Sequence, residues 1–335
     1  MKRDFRSWLK DKHVAVVGLG VSGEGVLNTL QNLGVKAYVF DKRIPDSLSY
    51  GEYVPTDGEG FNRELQIDLA VISPGIPLSS EQAQYFIKRG IPLMGEIEFA
   101  YCLTDREFIC ITGTNGKTTT TSLCGEIFKR HTDAKVVGNI GIAAAPCTLE
   151  PYDLFVAEIS SFQIETLNNF RAKICAVLNI TPDHLDRHGS FEVYTALKLD
   201  MLRRGELKVV NADCPVLAAH VIEHASDGEY PDLYLFSAQK RVEKGAFVED
   251  GKIYVSGLHQ GGNVSEIEVS QQEWICDLSD IRLMGAHNVE NVLAAVLIAR
   301  LYGVAQKVIR ESIIHFRAVE HRIEFVRTLD DVRFY

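Results

Sequence analysis

The sequence lacks the features that mark secreted, membrane-spanning or nucleic-acid-binding proteins. Its seven cysteines are scattered over 335 residues without a C-x-x-C pair, which argues against a disulfide framework or a cysteine zinc site. No apolar run approaches the roughly 18 residues that span a membrane, and the charged start of the chain is unlike a targeting segment. Acidic residues outnumber basic ones by 45 to 35, and no basic run is present. We therefore expect a cytoplasmic protein with reduced cysteines and no nucleic-acid partner.

A glycine-bearing loop stands between an apolar strand and a helical pattern, at Gly113-Thr-Asn-Gly-Lys-Thr118. Backbone N–H groups at the start of such a helix favour an anion, and Lys117 adds a mobile positive charge. The Thr118 hydroxyl could ligate Mg²⁺. The loop is shorter than the G-x-x-x-x-G-K-[ST] pattern, and Gly-Lys-Thr also occurs by chance in turns. The context of strand and helix favours a phosphate-binding loop.

A second glycine-rich turn, Gly18-Leu-Gly-Val-Ser-Gly23, follows an apolar strand and precedes another helical pattern. The next strand ends at Asp41, 18 positions after Gly23, where a ribose-binding acid is expected in a dinucleotide fold. This pattern predicts a nucleotide site without deciding which nucleotide. An NAD-dependent oxidoreductase is one alternative. A third strand runs into Ser73-Pro74-Gly75, which is either a ligand loop or a plain turn.

Acids and histidines follow two later apolar strands. The segment 154–157 ends in Glu158, which is either a Mg²⁺ ligand or an ordinary capping or surface acid. The segment 174–178 leads into 183–188, which holds two histidines and two acids. Mg²⁺ accepts one imidazole among oxygens, and zinc would need a further clustered ligand. A solvated polar loop remains the alternative. Lys198 lies on the next helix, where an isolated lysine is usually a surface charge.

The fold class expected from this order is α/β, with three segments. Residues 1–105 form a Rossmann-like domain, and residues 106–315 form a central P-loop ATPase-like domain with a small antiparallel sheet at 240–283. Residues 316–335 open a further domain, and we interpret the strand-like end at 332–335 as a sequence without its natural C-terminal part. Apolar residues make up 46% of the chain, which is enough to fill such cores.

The order and spacing of five motifs resemble the Mur ligases, ATP-dependent enzymes that add amino acids to the peptide of the cell-wall precursor. The glycine-rich start and Glu158-Ile-Ser-Ser-Phe-Gln163 are most similar to the members that add D-glutamate to UDP-N-acetylmuramoyl-L-alanine. The family also has a third domain, and we expect full activity to need it. The motifs are Gly113–Thr118, Gly138-Asn-Ile-Gly141, Asp183-His-Leu-Asp186, Gly285-Ala-His-Asn288 and His321-Arg322.

The resemblance implies a role for each matching residue. The UDP group would contact Gly20, Val21, Ser22, Gly23, Asp41, Arg43, Ser73, Pro74 and Gly75, and the muramoyl part would contact Asn139, Gln163 and His184. ATP would contact Gly113, Thr114, Asn115, Gly116, Lys117, Thr118, Thr119, Asn288 and Arg322. Two Mg²⁺ ions would be held by Thr118, Glu158, His184 and a carbamylated Lys198. Lys117, Lys198 and His184 are the implied catalytic residues.

The implied reaction is amide formation through an acyl phosphate, in a monomer that binds neither nucleic acid nor membrane. Two rival interpretations stay open at this point. The NAD-dependent oxidoreductase would use the turn at 18–23 and Asp41, but it leaves the loop at 111–120 and the cluster at 183–188 unexplained. A non-catalytic nucleotide-binding module is the other alternative.

Overall fold

The computed structural model describes residues 4–42, 48, 50–56, 64–224, 230, 232–258, 272–283, 285–317, 327–329 and 332–334. The chain divides into two compact units. Unit 1 comprises Met1–Phe108, Lys135–Arg171 and His184–Leu197, and unit 2 comprises Ile109–Ala134, Ala172–Asp183 and Lys198–Tyr335. The domain boundaries at 105 and 315 stay predictions.

Helices and strands alternate along most of the chain. The helices are α1 (Phe5–Leu9), α2 (Val21–Leu33), α3 (Glu81–Lys88), α4 (Glu96–Leu103), α5 (Lys117–Phe128), α6 (Ala144–Cys147), α7 (Ser161–Ile164), α8 (Leu185–His188), α9 (Phe191–Arg204), α10 (Pro215–His224), α11 (Ala286–Tyr302) and α12 (Gln306–His315). The strands are β1 (His13–Val17), β2 (Lys36–Asp41), β3 (Glu52–Pro55), β4 (Leu69–Ile72), β5 (Leu93–Gly95), β6 (Glu107–Thr112), β7 (Ala134–Gly138), β8 (Leu154–Glu158), β9 (Ala172–Val177), β10 (Gly205–Asn211), β11 (Leu233–Ser237), β12 (Gly245–Glu249), β13 (Lys252–Ser256), β14 (Glu273–Asp277), β15 (Arg327–Leu329) and β16 (Val332–Phe334).

Unit 1 contains a five-stranded parallel sheet in the order β3-β2-β1-β4-β5. Its central strands are continuous apolar runs, and all four residues of β4 are buried, as expected where both faces of a parallel sheet are covered. The order reverses between β1 and β4, so the carboxyl ends of these strands flank a crevice suited to a ligand. Gly18 directly follows β1, Asp41 is the last residue of β2, and Ser73 directly follows β4. The strands β8 and β7 of this unit are also neighbours.

Unit 2 contains seven adjacent strands in the order β14-β13-β12-β11-β10-β9-β6. The pairs from β6 to β12 are parallel, and β12–β13 and β13–β14 are antiparallel. The antiparallel strands therefore extend the parallel sheet and do not form a sheet of their own. The predicted α/β class with added antiparallel strands is confirmed. Within the predicted antiparallel segment 240–283, residues 259–271 lie outside the described residues.

The long helix α11 forms the core of unit 2. Its residues from Asn291 to Arg300 are all buried, and the helix packs on α5 and on strands β10, β11 and β12. A helix that is apolar all round is expected to be enclosed by other elements. Within the described residues, no helix is long and apolar enough to cross a membrane.

Candidate functional site

The loop between β6 and α5 has a backbone that only glycine accommodates at two positions. Gly116 is the N-cap of α5 and has a φ of 81°, in the left-handed region. A Cβ at this position would overlap the side chain of Asn291 in α11. Gly113 has a φ of 156° and packs against the chain that follows β9. The two glycines allow the chain to turn directly from the end of a buried strand into the first turn of a helix.

Residues after β9 hold this loop in place from the side. The Thr114 N–H donates to the Asn179 carbonyl at 2.9 Å, and the Asn115 N–H donates to the Asn179 side-chain oxygen at 2.8 Å. The Thr114 hydroxyl donates to the Thr181 carbonyl at 3.1 Å. Asn179 and Thr181 were absent from the sequence prediction. The available signal was their position directly after a buried parallel strand, at the edge where ligand loops gather.

Two lysine side chains converge on one carbonyl oxygen of the loop. The Lys117 ammonium donates to the Gly113 carbonyl at 2.9 Å and to the Thr114 carbonyl at 2.8 Å. The Lys198 ammonium donates to the same Gly113 carbonyl, also at 2.9 Å. Lys117 therefore places a positive charge at the N-terminus of α5, where a helix already favours an anion.

Lys198 is a buried side chain with only 1% of its surface exposed, not a solvated surface charge. Burial and the nearby charge of Lys117 lower its pKa to about 7, and the Asp183 carboxylate acts in the opposite direction. An amine with such a pKa is largely neutral slightly above neutral pH. It can then act as a nucleophile, which a protonated lysine cannot.

The other predicted ATP residues of unit 2 lie at the starts of α5 and α11. Thr118 and Thr119 are in the first turn of α5, and Asn288 is in the first turn of α11. The Asn291 amide donates to the Asn288 side-chain oxygen at 3.0 Å. Arg322 lies outside the described residues. Except for Arg322, the predicted ATP residues therefore lie on the loop and on two helix starts of one unit.

A cavity of about 490 Å³ opens at the carboxyl ends of β1, β2 and β4 in unit 1. The Leu19 N–H donates to the Asp41 carboxylate at 2.8 Å, and the Ser73 hydroxyl donates to the Gly18 carbonyl at 2.8 Å. A Cβ at Gly23 would overlap the Gly18 carbonyl, so only glycine fits there. Arg43 lies outside the described residues. Of the predicted UDP residues, Gly20, Val21, Ser22, Asp41, Ser73, Pro74 and Gly75 line the cavity.

Glu158 ends β8 with a carboxylate that is only 1% exposed. One carboxylate oxygen accepts a hydrogen bond from the Asn139 amide at 2.7 Å. The other oxygen is buried and has no hydrogen-bond partner within the described part of the chain. A buried carboxylate oxygen without a donor is costly unless a cation or proton meets it. The donor set at this position therefore fits a hard divalent cation such as Mg²⁺.

The segment after β8 and the α8 helix contain the remaining predicted residues. Gln163 completes a capping box, in which its side-chain oxygen accepts from the Ser160 N–H at 2.9 Å. His184 is the N-cap of α8 in the left-handed conformation, with a φ of 51°. Its ring lies 4.9 Å from the ring of Phe162. Non-glycine residues in this conformation are uncommon and often mark functional sites.

Arg187 is a further candidate that the sequence prediction missed. Its guanidinium donates to the Glu165 carboxylate at 2.8 Å and lies 3.4–3.5 Å from the Ile76 and Pro74 carbonyls of the cavity loop. It also stacks on Phe162, 5.0 Å from the ring centroid. Arg187 therefore fixes the backbone of a loop that lines the cavity.

Replacing Arg187 with alanine is expected to lower the free energy of unfolding by about 2 kcal/mol, because hydrogen bonds between partly buried charged groups are lost. The affinity for UDP should fall as well, because Pro74 and Ile76 lose their anchor. Urea unfolding and UDP titration measure the two effects. Arg130→Ala, which alters an exposed residue of the other unit, is the control. A change below about 0.5 kcal/mol in Arg187→Ala would contradict the anchoring role.

Two family models and several named relatives match most of this chain. Residues 111–299 match the family model of the Mur ligase middle domain, and residues 12–95 match that of the Mur ligase MurD-like N-terminal domain. The UDP-N-acetylmuramoylalanine–D-glutamate ligase of Acidobacterium capsulatum is 42% identical over 98% of this chain and 71% of its own length. The enzyme of the same name from a Thermoanaerobacter species is 40% identical, over 98% of this chain and 72% of its own length.

Solved structures agree on the fold. The UDP-N-acetylmuramate:L-alanyl-γ-D-glutamyl-meso-diaminopimelate ligase of Neisseria meningitides has a TM-score of 0.61 and 17% identity, covering 92% of this chain and 99% of that one. A pseudomurein peptide ligase type C from Methanothermus fervidus has a TM-score of 0.54 and 20% identity. The match covers 95% of this chain and 73% of that one. None of these relatives is an oxidoreductase. The chain belongs to the Mur ligase family, the ATP-dependent ligases of peptidoglycan synthesis.

Proposed function

We propose that this chain joins D-glutamate to UDP-N-acetylmuramoyl-L-alanine at the expense of ATP. The observation that carries the proposal is the 42% identity, over 98% of the chain, to a relative that is named for this reaction. The hydrogen-bonded loop at 113–118 and the cavity at the carboxyl ends of β1, β2 and β4 support it. The reaction needs one nucleotide site for ATP and another for the UDP-linked acceptor.

The proposed reaction begins when the acceptor carboxylate attacks the γ-phosphate of ATP and ADP leaves. The amine of D-glutamate then attacks the acyl phosphate, forms the amide and loses a proton, and phosphate leaves. The first step brings two anions together, so the site needs positive charge that is fixed in advance. Lys117 supplies an ammonium group that its contacts with Gly113 and Thr114 already place beside the loop.

Mg²⁺ is the metal that members of this family use, and it neutralises phosphate charge when bound. The proposed Mg²⁺ ligands are Thr118, Glu158, His184 and Lys198. One buried carboxylate oxygen of Glu158 has no hydrogen-bond partner among the described residues, and this supports the assignment. Two ions are proposed, and Lys198 would offer oxygen atoms only as a carbamate. Its neutral amine would attack CO₂, form an N–C bond and release a proton.

The residues that the resemblance assigns to UDP, to the muramoyl part and to ATP are proposed as the substrate contacts. Gly20, Val21, Ser22, Gly23, Asp41, Arg43, Ser73, Pro74 and Gly75 would bind UDP, and Asn139, Gln163 and His184 would bind the muramoyl part. Gly113, Thr114, Asn115, Gly116, Thr119, Asn288 and Arg322 would bind ATP with Lys117 and Thr118. We further propose a cytoplasmic monomer with a UDP-binding domain at 1–105, an ATP-binding domain at 106–315 and the start of a third domain at 316–335.

Incubation of the chain joined to a C-terminal domain of the family with ATP, Mg²⁺, UDP-N-acetylmuramoyl-L-alanine and D-glutamate is expected to release phosphate. It should also yield a product heavier by one glutamyl residue. A phosphate assay measures the release of phosphate, and mass spectrometry measures the mass of the product. L-glutamate in place of D-glutamate should give no product, and omission of the acceptor should stop phosphate release. Tight binding of NADH without binding of UDP would instead favour the oxidoreductase, and ligation of a different amino acid would overturn the D-glutamate assignment.

A further inference from the structure

The last turn of α10 carries a group of metal-binding side chains that has no part in the proposed reaction. His220, Glu223 and His224 each present one ligand atom, and these atoms lie within 4.8 Å of one another. No other group of three or more such side chains is found in the described parts of the chain. Glu223 is exposed and both histidines are half-buried, so an ion can reach the group from solvent.

Hydrogen bonds orient the two imidazole rings. The His224 Nδ1 lies 2.9 Å from the His220 carbonyl, which can only accept, so Nδ1 carries a proton and Nε2 is the nitrogen that a metal ion would bind. The His220 Nε2 lies 2.8 Å from the hydroxyl of the buried Tyr230. Metal-binding histidines usually have such a partner on the second ring nitrogen, which fixes the ring and the tautomer.

The donor set selects the class of ion. Two imidazoles and one carboxylate are a known set for Zn²⁺, whereas Mg²⁺ and Ca²⁺ prefer oxygen atoms throughout. A tetrahedral ion with bonds of about 2.0 Å holds its ligand atoms about 3.3 Å apart. Small rotations of the three side chains would close the remaining gap. The spacing H-x-x-E-H at 220–224 also occurs in zinc peptidases, where both histidines ligate the metal.

We propose that His220, Glu223 and His224 form a binding site for a transition-metal ion of the Zn²⁺ class, with Tyr230 positioning His220. The ion would join three side chains at the C-terminal end of α10, and the Tyr230 hydroxyl would hold the ring of His220 in place. This site differs from the proposed Mg²⁺ ligands in its residues and in its preference for nitrogen.

Zn²⁺ titration of the chain without any histidine tag, in excess Mg²⁺ to fill oxygen sites, is expected to reveal one bound Zn²⁺ per chain. Isothermal calorimetry measures the affinity, and Co²⁺ in place of Zn²⁺ should give the visible absorption of a tetrahedral complex. His220→Ala and His224→Ala should each weaken binding at least tenfold. Tyr230→Phe should weaken it about tenfold, as expected when a partner of a ligating imidazole is lost.

His315→Ala is the matched control, because His315 also ends a helix and its Nδ1 lies 2.7 Å from a carbonyl four residues earlier. It should leave Zn²⁺ binding unchanged. Circular dichroism checks that each variant keeps its helices. The proposal is overturned if the parent chain binds no Zn²⁺, or if the double variant His220→Ala/His224→Ala binds it as tightly as the parent. In the second case the ion occupies another site.

Discussion

Phosphate release by the chain joined to a C-terminal domain of the family is expected to fall by at least about 10²-fold when Lys117 is replaced by alanine, because one preorganised charge at the reacting phosphate is removed. Lys117 begins α5 and is held by the Gly113 and Thr114 carbonyls, so its ammonium is already placed at the loop before a nucleotide binds. ATP affinity should also fall, because the helix N-terminus alone provides weaker attraction for the terminal phosphates.

The control for Lys117→Ala is the variant Lys129→Ala, which removes an equal charge just beyond the C-terminal end of the same helix. Lys129 is exposed and pairs with Glu126 at 3.1 Å, so its loss should change neither phosphate release nor ATP affinity. Thermal unfolding of both variants separates a local effect from a folding defect. A Lys117→Ala chain that folds and releases phosphate at the parental rate would exclude the assigned role.

Replacement of Lys198 by methionine is expected to reduce phosphate release by about 10²–10³-fold, because a group that organises charge at the site is removed. If Lys198 is a carbamate, ¹³C-labelled bicarbonate should give one carbamate signal by NMR in the parent chain. Lys208→Met is the control, because Lys208 is also a buried lysine with a pKa that burial lowers. The signal should persist in Lys208→Met and disappear in Lys198→Met. A parent chain without the signal at alkaline pH would contradict the carbamate.

The lowered pKa of Lys198 also predicts how stability changes with pH in buffer free of CO₂. The pKa of Lys198 is about 7 in the folded chain, and the ordinary pKa of a lysine is 10.5. Between these two values the unfolded chain binds the proton and the folded chain does not. Stability therefore rises with pH across this window, by up to about 1.4 kcal/mol per pH unit. Lys198→Met should lack this rise and should be the more stable chain below pH 7. Urea unfolding at several pH values measures the difference, and equal pH slopes in both chains would contradict the assignment.

The local elements around the candidate site could be predicted from the sequence. The loop at 113–118 was identified from an apolar strand, two glycines, a lysine and a helical pattern, all within about twenty residues. The turn at 18–23 and the acid at the end of β2 were identified in the same way. Such predictions succeed because strand and helix periodicity and the need for glycine in tight turns are properties of neighbouring residues.

The burial of Lys198 and the anchoring by Arg187 could not be predicted in this way. Lys198 is buried because its helix brings it to the Gly113 carbonyl, 85 positions earlier in the chain. Arg187 reaches Pro74 across 113 positions. In α10, the spacing of His220 and His224 is visible in the sequence, but the hydroxyl that orients one ring comes from Tyr230, outside the helix.

The sequence by itself determined the order of elements, the two glycine-rich loops and the family, because these depend on local patterns and motif spacing. The tertiary structure decided that Lys198 is buried, that one oxygen of Glu158 has no donor among the described residues, and that Arg187 holds the cavity loop. Those outcomes depend on which parallel strands become neighbours. Strand order brings together side chains that are far apart in the chain, and no local pattern encodes that pairing.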